Sequence, residues 1–439
     1  MAATDRQTSL RGRVAAAVCS LLGIPPAVQA AARASDPPPS ADQWSWDASF
    51  MRYSEVSRIS VLEPQASVRR DFSDHRSLSV LVTVDTISGA TPLGTLPATA
   101  NTAPDAVTSA SGRGINPVIG KIPTSQMTDT RYAIDGSWQQ PLASDYTGIL
   151  GANVSKESDF LAVGADTKLA RDFNEKNTTL SLGLAPEYDV SSPNGGLPLA
   201  YGTEFTPGTI IGNQDTKWLL AGQAGLTQVI NRRMLMQFNY GLTHEQGYLN
   251  DPYKLLSLVN ADGDPVSAIF EKRPGRRTEQ YVYWLTRYNI WDQDIASLAL
   301  RFYSDNWGIR SQTMDFTFRR QSTERFYWEP HVRYYHQSAA DFYHVGLLQG
   351  AALPEFASAD QRLAEFIGIT FGVRFGYAFR NGSLLVVRAE FYSQSGESFP
   401  KEAVGAQHAF DLFPTLNASI VQVDYSFDPG RWFKGDRLP

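Results

Sequence analysis

The 439-residue sequence has one cysteine, no long apolar run beyond its N-terminus and no excess of positive charge. The lone cysteine, Cys19, lies in an N-terminal leader, so the mature chain has no thiol. Disulfides, thiolate metal sites and cysteine nucleophiles are thereby excluded. After residue 30 no stretch approaches the ~18 apolar residues of a spanning helix, which excludes a helical membrane protein. A net charge of −6 without a basic stripe argues against nucleic acid as a partner. Charged residues reach only 19% while aromatics reach 12%, more than an ordinary soluble enzyme needs. A membrane-spanning barrel fits that balance and escapes hydropathy scans, because only every second residue of its strands faces lipid.

The leader has the layout of an export signal: Arg6, Arg11 and Arg13, then an apolar core at 14–24, then Val28-Gln29-Ala30 as a small-residue cleavage site. Pro25 and Pro26 oppose a buried first helix, and Val18 makes Cys19 a poor lipid-attachment site. The expected organisation is a signal peptide at 1–30, a periplasmic linker at 31–42, a barrel at 43–427 and a tail at 428–439.

From Trp44 to Phe427 the chain repeats about ten residues of alternating polarity followed by a break. Breaks at 71–76, 143–146, 174–177, 231–234, 291–294, 320–325 and 380–383 are short. Those at 88–128, 191–214, 247–277, 337–364 and 394–413 are long. Ile367, Ile369, Phe371, Val373, Phe375, Tyr377 and Phe379 share one strand face, with Arg374 and four glycine or alanine residues on the other. Asn381-Gly382 then gives a strong hairpin signal. A soluble sandwich would show a polar outer face and no alternation of short with long breaks. The reading is all-β: a single transmembrane antiparallel up-and-down β-barrel of about sixteen strands in a bacterial outer membrane, with fourteen or eighteen as alternatives. Membrane lipid is one expected partner. The barrel-assembly machinery is another, because Val421, Val423, Tyr425 and Phe427 line up as in a terminal assembly signal.

Two segments, Val84-Asp-Thr-Ile-Ser-Gly-Ala-Thr-Pro92 and Tyr248-Leu-Asn-Asp-Pro-Tyr-Lys254, the latter followed by Glu271-Lys-Arg-Pro-Gly-Arg276, carry a resemblance. They are similar to an uncharacterised family of bacterial outer-membrane proteins, a domain of unknown function. The resemblance covers nearly the whole mature chain; it implies the barrel and no activity. In the first motif Ser88, Gly89 and Pro92 are expected to redirect the chain at the outer rim, with Asp85 capping that turn or binding a cation together with Asp251, beside Pro252.

Strand parity turns Arg287, Arg301, Arg319, Arg333, Arg374 and Arg388 inward, with Asp315, Glu329, Glu390 and Asp424. Such walls either orient a dipolar solute in a wet pore or brace the barrel by cross-strand pairing. No catalytic residue is expected, with one alternative. His336 and Ser338 share an outward face at the rim, which resembles outer-membrane phospholipase A. Ala339-Ala340 stands where that family has Asn-Gly, and the next strand offers no Asn before Asn381. Asp262-Gly263-Asp264 reads as a solvated turn without calcium-loop spacing. His331 and His336 face opposite sides, and neither a metal nor a cofactor is expected. The functional expectation is a porin-like or transporter-like conduit for a small polar solute or exported factor; the rivals are a plugged, surface-binding scaffold and the lipid esterase. The apolar runs at 255–259 and 266–270 are expected to form a hairpin that extends the wall or covers the lumen.

Overall fold

A computed structural model describes residues 43–428, apart from 57, 102–118, 204–207 and 292. The leader, the linker and all but the first residue of the tail lie outside the described residues. Sixteen antiparallel strands close into one barrel. They are β1 (Gln43–Glu55), β2 (Ile59–Asp71), β3 (Ser77–Pro92), β4 (Thr124–Ala143), β5 (Tyr146–Lys156) and β6 (Phe160–Phe173). Next come β7 (Thr178–Ser191), β8 (Asp215–Asn231), β9 (Met234–Gly247), β10 (Arg276–Trp291) and β11 (Asp294–Asp305). β12 (Arg310–Gln321), β13 (Phe326–Gln337), β14 (Phe366–Ala378), β15 (Leu384–Gly396) and β16 (Leu416–Phe427) complete the ring. Closure is made by β1 against β16, with Trp46 opposite Phe427 and their rings stacked at 6.4 Å.

The period-two pattern explains which side of each strand meets which solvent. Large apolar residues on alternate positions stay uncovered, as with Trp218 at 60% and Phe371 at 57% exposure, while their neighbours turn inward. A closed sheet that bares a continuous apolar band outside and encloses carboxylates and guanidinia has the polarity of a membrane barrel. No helix of the described residues is long and apolar enough to cross a membrane. At the short-turn rim Phe72, Trp138, Phe379 and Tyr425 form part of an aromatic girdle, with Arg76 lying over the rings of Phe72 and Trp138.

The first motif departs from expectation. Its residues do not turn at the rim: β3 runs on to Pro92, which still pairs with Thr124, so both β3 and β4 stand four residues taller than the alternation suggested. Gly89 has φ +132° and lies against the backbone of Arg58 and Ile59, where a Cβ would collide. The glycine thus permits a close strand approach instead of a turn. Ser88 sits within the ladder between Ser60 and Thr128.

Candidate functional site

The described parts of the long connections pack into one body over the outer rim. Leu255–Val259 and Pro265–Phe270 pair as an antiparallel hairpin, and Leu347–Leu348 adds a parallel third strand. The expected hairpin is therefore present, and its apolar runs are covered: Leu255 and Leu256 are fully buried. Five loops meet there. Leu255 donates to the Leu93 carbonyl (2.9 Å) after β3, and Tyr201, between β7 and β8, donates to Phe270 O (3.1 Å). Ala357 and Ala359 from the β13–β14 loop pack on Leu256 and Ile269. Gln407, between β15 and β16, donates to Gly263 O (2.9 Å) and Pro97 O (3.0 Å). Loops rooted on all sides of a ring can reach one hairpin only over its opening, so the hairpin lies across the mouth as the centre of a cap. The turn at 262–264 is accordingly solvated only at Asp262, which is exposed; Asp264 is buried and accepts from Thr99.

Beneath the hairpin is a compact ionic cluster in which the two motifs meet. Asp251, Pro252 and Lys254 form a tight turn, with Lys254 N–H bonded to Asp251 O (3.2 Å) and Asp251 Oδ1 accepting from Tyr253 N–H (3.0 Å). Proline at the second position fixes the dihedral that turn requires. Lys254 Nζ reaches back to the carbonyl of Pro92, joining the second motif to the end of the first. Asp251 also binds Arg362 (2.5 Å), whose Nε is shared with both oxygens of Asp360 (2.8 and 2.7 Å). Arg273 links Asp360 (2.8 Å) to Glu271 (2.6 Å). Glu271 accepts from Ser358 Oγ (2.5 Å) and from Asp251 N–H (2.5 Å). Three acids and three bases therefore balance.

Electrostatics separates the carboxylates. Burial alone would raise the Asp360 carboxyl, but Arg362, Lys254 and Arg273 hold it far below the usual range. Asp251 is lowered in the same way, burial being outweighed by Arg362 and Lys254. Glu271 goes up: burial dominates, Arg273 offsets only part of it, and Asp251 and Asp360 add repulsion. Lys254 goes down by burial, partly restored by Asp360.

The expected pairing of Asp85 with Asp251 around a cation, or in a cap, is replaced by separate arginine partners. Asp85 faces inward on β3 and binds Arg131 of β4. Ser338 and His336 also have other partners. The Ser338 hydroxyl donates to Gly308 O (3.1 Å) and accepts from Arg310 N–H (2.9 Å), while His336 Nε2 is 3.4 Å from Glu365. Arg362 and Asp360 escaped the sequence reading. Their signal was an Asp-x-Arg step amid small residues, Ser358-Ala-Asp-Gln-Arg362, in a loop otherwise lacking charge alternation.

Below the cap, the ten charged residues assigned to the lumen by parity all lie on the strand face opposite the uncovered apolar one. Glu329 binds Arg319 and Arg374, both at 2.8 Å. His331, missed as a lumen residue although parity assigned its face, bridges Asp315 (3.0 Å) and Glu390 (2.9 Å). Arg388 binds Gln422 (2.5 Å), which donates to Asp424 (2.6 Å), and Arg333 lies 3.7 Å from Asp315. Arg301 stacks over Tyr281 (4.8 Å), and Arg287 is exposed. The inward glycines of β14 make these pairs possible: Tyr392, Glu390 and Tyr327 lie where side chains at Gly368, Gly372 and Gly376 would be. Long polar groups are thus laid along the wall.

A profile for proteins of unknown function, DUF3570, matches residues 11–427. The chain belongs to that family. A search of curated proteins finds no match to this DUF3570 chain. Among solved structures it is similar to a variant of the ferric enterobactin receptor PfeA of Pseudomonas aeruginosa, at 10% identity and TM-score 0.43, over 88% of this chain and 59% of that one. The siderophore receptor PirA of Acinetobacter baumannii gives 9% identity and TM-score 0.40, over 90% and 60%. OccK2 (OpdF) of Pseudomonas aeruginosa, in complex with glucuronate, gives 12% identity and TM-score 0.40, over 88% and 98%. The DUF3570 chain spans about six-tenths of the two receptors' length.

Proposed function

We propose that this DUF3570 protein is an outer-membrane conduit for small polar solutes, with a wet lumen beneath a folded external cap. The observation that carries this is the disposition of the inner wall. Its large side chains lie over inward glycines and pair between neighbouring strands, and Asp135 on β4 faces inward yet is exposed. A plugged scaffold would instead join opposite walls through its charged pairs. The esterase reading is not favoured, because both hydrogen-bonding roles of the Ser338 hydroxyl go to backbone groups, whereas a serine nucleophile needs a base within reach.

Conductance of the purified full chain in planar bilayers tests the proposal. Deleting residues 255–270 removes the hairpin from the mouth and should raise single-channel conductance at unchanged membrane insertion. If parent and deletion variant both insert, as shown by protease protection of the strands, and neither conducts, the scaffold reading replaces this one.

A further inference from the structure

The same three residues, Arg-Asp-Phe, close two strands of the ring: Arg70-Asp71-Phe72 at the end of β2 and Arg171-Asp172-Phe173 at the end of β6. Both copies lie at the short-turn rim, four strands apart. Strand alternation splits each copy between the two faces of the wall. The aspartate turns inward, where Asp71 binds Arg69 (2.8 Å) and Asp172 accepts from the Thr179 hydroxyl (2.6 Å). The arginine and the phenylalanine turn outward, toward the face that carries the uncovered apolar band.

On that outer face each arginine lies against two rings. Arg70 lies over Phe72 (4.6 Å) and over Trp44 (5.2 Å), its register partner on β1. Arg171 lies over Phe173 (4.5 Å) and over Tyr146 (5.0 Å), its register partner on β5. Two distant stretches of sequence thus build one arrangement: a guanidinium held by the ring two residues on and by the ring across the ladder. At the first copy Arg76 brings a second guanidinium over Phe72, and Asp74 binds it at 2.5 Å. Arg171 is exposed and has no ion pair among the described residues. Rings occupy the faces of a guanidinium and leave its N–H edges, which are the edges that take a phosphate.

We propose that the two Arg-Asp-Phe strand ends are binding sites for anionic phospholipid, each arginine taking the headgroup phosphate while the flanking rings lie against the glycerol and upper acyl chains. The level fits, because aromatic rings gather where hydrocarbon meets headgroups, at the short turns as at the long loops. The charge fits too. Each copy's aspartate is engaged on the inner face, so it does not neutralise the arginine beside it, and a basic side chain at that level attracts anionic lipid. The sites face the membrane and are independent of whether the lumen conducts.

Native mass spectrometry of the full chain, purified in detergent and mixed with phosphatidylglycerol or phosphatidylcholine, tests the assignment. Two phosphatidylglycerol molecules should stay bound, each preferred over phosphatidylcholine by about fivefold, the ratio that one basic side chain at an anionic surface gives. Arg171→Gln should remove one of them, and Arg70→Gln with Arg171→Gln both. Arg171→Lys keeps the charge but loses the planar fork, so it should hold the lipid less well than the parent. Arg232→Gln, in the exposed turn between β8 and β9 and over no ring among the described residues, should change nothing. Heat-modifiable migration of each variant confirms the barrel. Equal retention of the two lipids by the parent, or two molecules still held by the double variant, overturns the assignment. So does a loss from Arg232→Gln as large as that from Arg171→Gln, which would mark a general attraction to the charge of the rim.

Discussion

At the scale of single residues, Asp360 is the group on which the cap most depends. It is 2% exposed as a side chain and sits between Arg273 and Arg362, so it joins the loop that follows β9 to the loop that follows β13. Removing one partner of a buried pair leaves the other charge without compensation, at a cost of about 3–5 kcal/mol. Asp360→Asn should therefore open the 338–365 loop to limited proteolysis while leaving the strands protected; equal digestion of parent and variant would contradict the assigned role. Acid acts on the same groups with a definite sign. Asp360 and Asp251 are depressed in the folded cap, so their contribution is present above the ordinary aspartate value and is lost only as pH falls through their lowered folded values. Glu271, being raised, opposes acid opening, since its protonation on the way down relieves repulsion. Digestion at about pH 5 should not exceed that at neutrality, because ordinary aspartates titrate near 4 and protonation of Glu271 favours the closed cap.

At the scale of elements, β14 depends on what its glycines leave free. Gly372→Leu would place a side chain where Glu390 now lies and force that carboxylate, with its His331 bond, away from the wall. Conductance should fall without loss of insertion, and an unchanged value would show that the glycine stripe does not keep the lumen wide. Strands of this kind are easy to read in sequence, because lipid on one side and water on the other impose a strict period of two; β10, β11 and β16 begin or end within three residues of expectation. The inward set followed from the same parity. The first motif misled because glycine and proline ordinarily mark turns, whereas here Gly89 serves a close approach between β2 and β3 and Pro92 still pairs within a ladder. The ionic cluster was only half legible. Asp251 lies in a motif, but Asp360 and Arg362 come from a loop more than a hundred residues later, and no local pattern reports a contact at that range.

At the scale of the whole molecule, the ring and its cap are two structures held by different forces. The ring is a continuous hydrogen-bonded ladder closed by β1 and β16, and it should resist denaturant and migrate anomalously on gels until heated. A protein that ran identically before and after boiling, or that stayed monomeric in water without detergent, would not be this barrel. The cap is held by apolar packing and a neutral cluster of six charges, with the hairpin at its centre touched by loops from every side. This reverses the usual expectation for the long loops of a barrel. Long external loops are ordinarily where sequence drifts freely and where foreign peptides can be inserted without harm. Here an epitope placed within 255–270 or 355–363 would be threaded through a shared core and would dislodge its neighbours. Changes in one loop must then be answered by changes in another, so the exposed crown of the protein is its part least free to vary, and the short turns on the opposite rim are the places that should accept a graft.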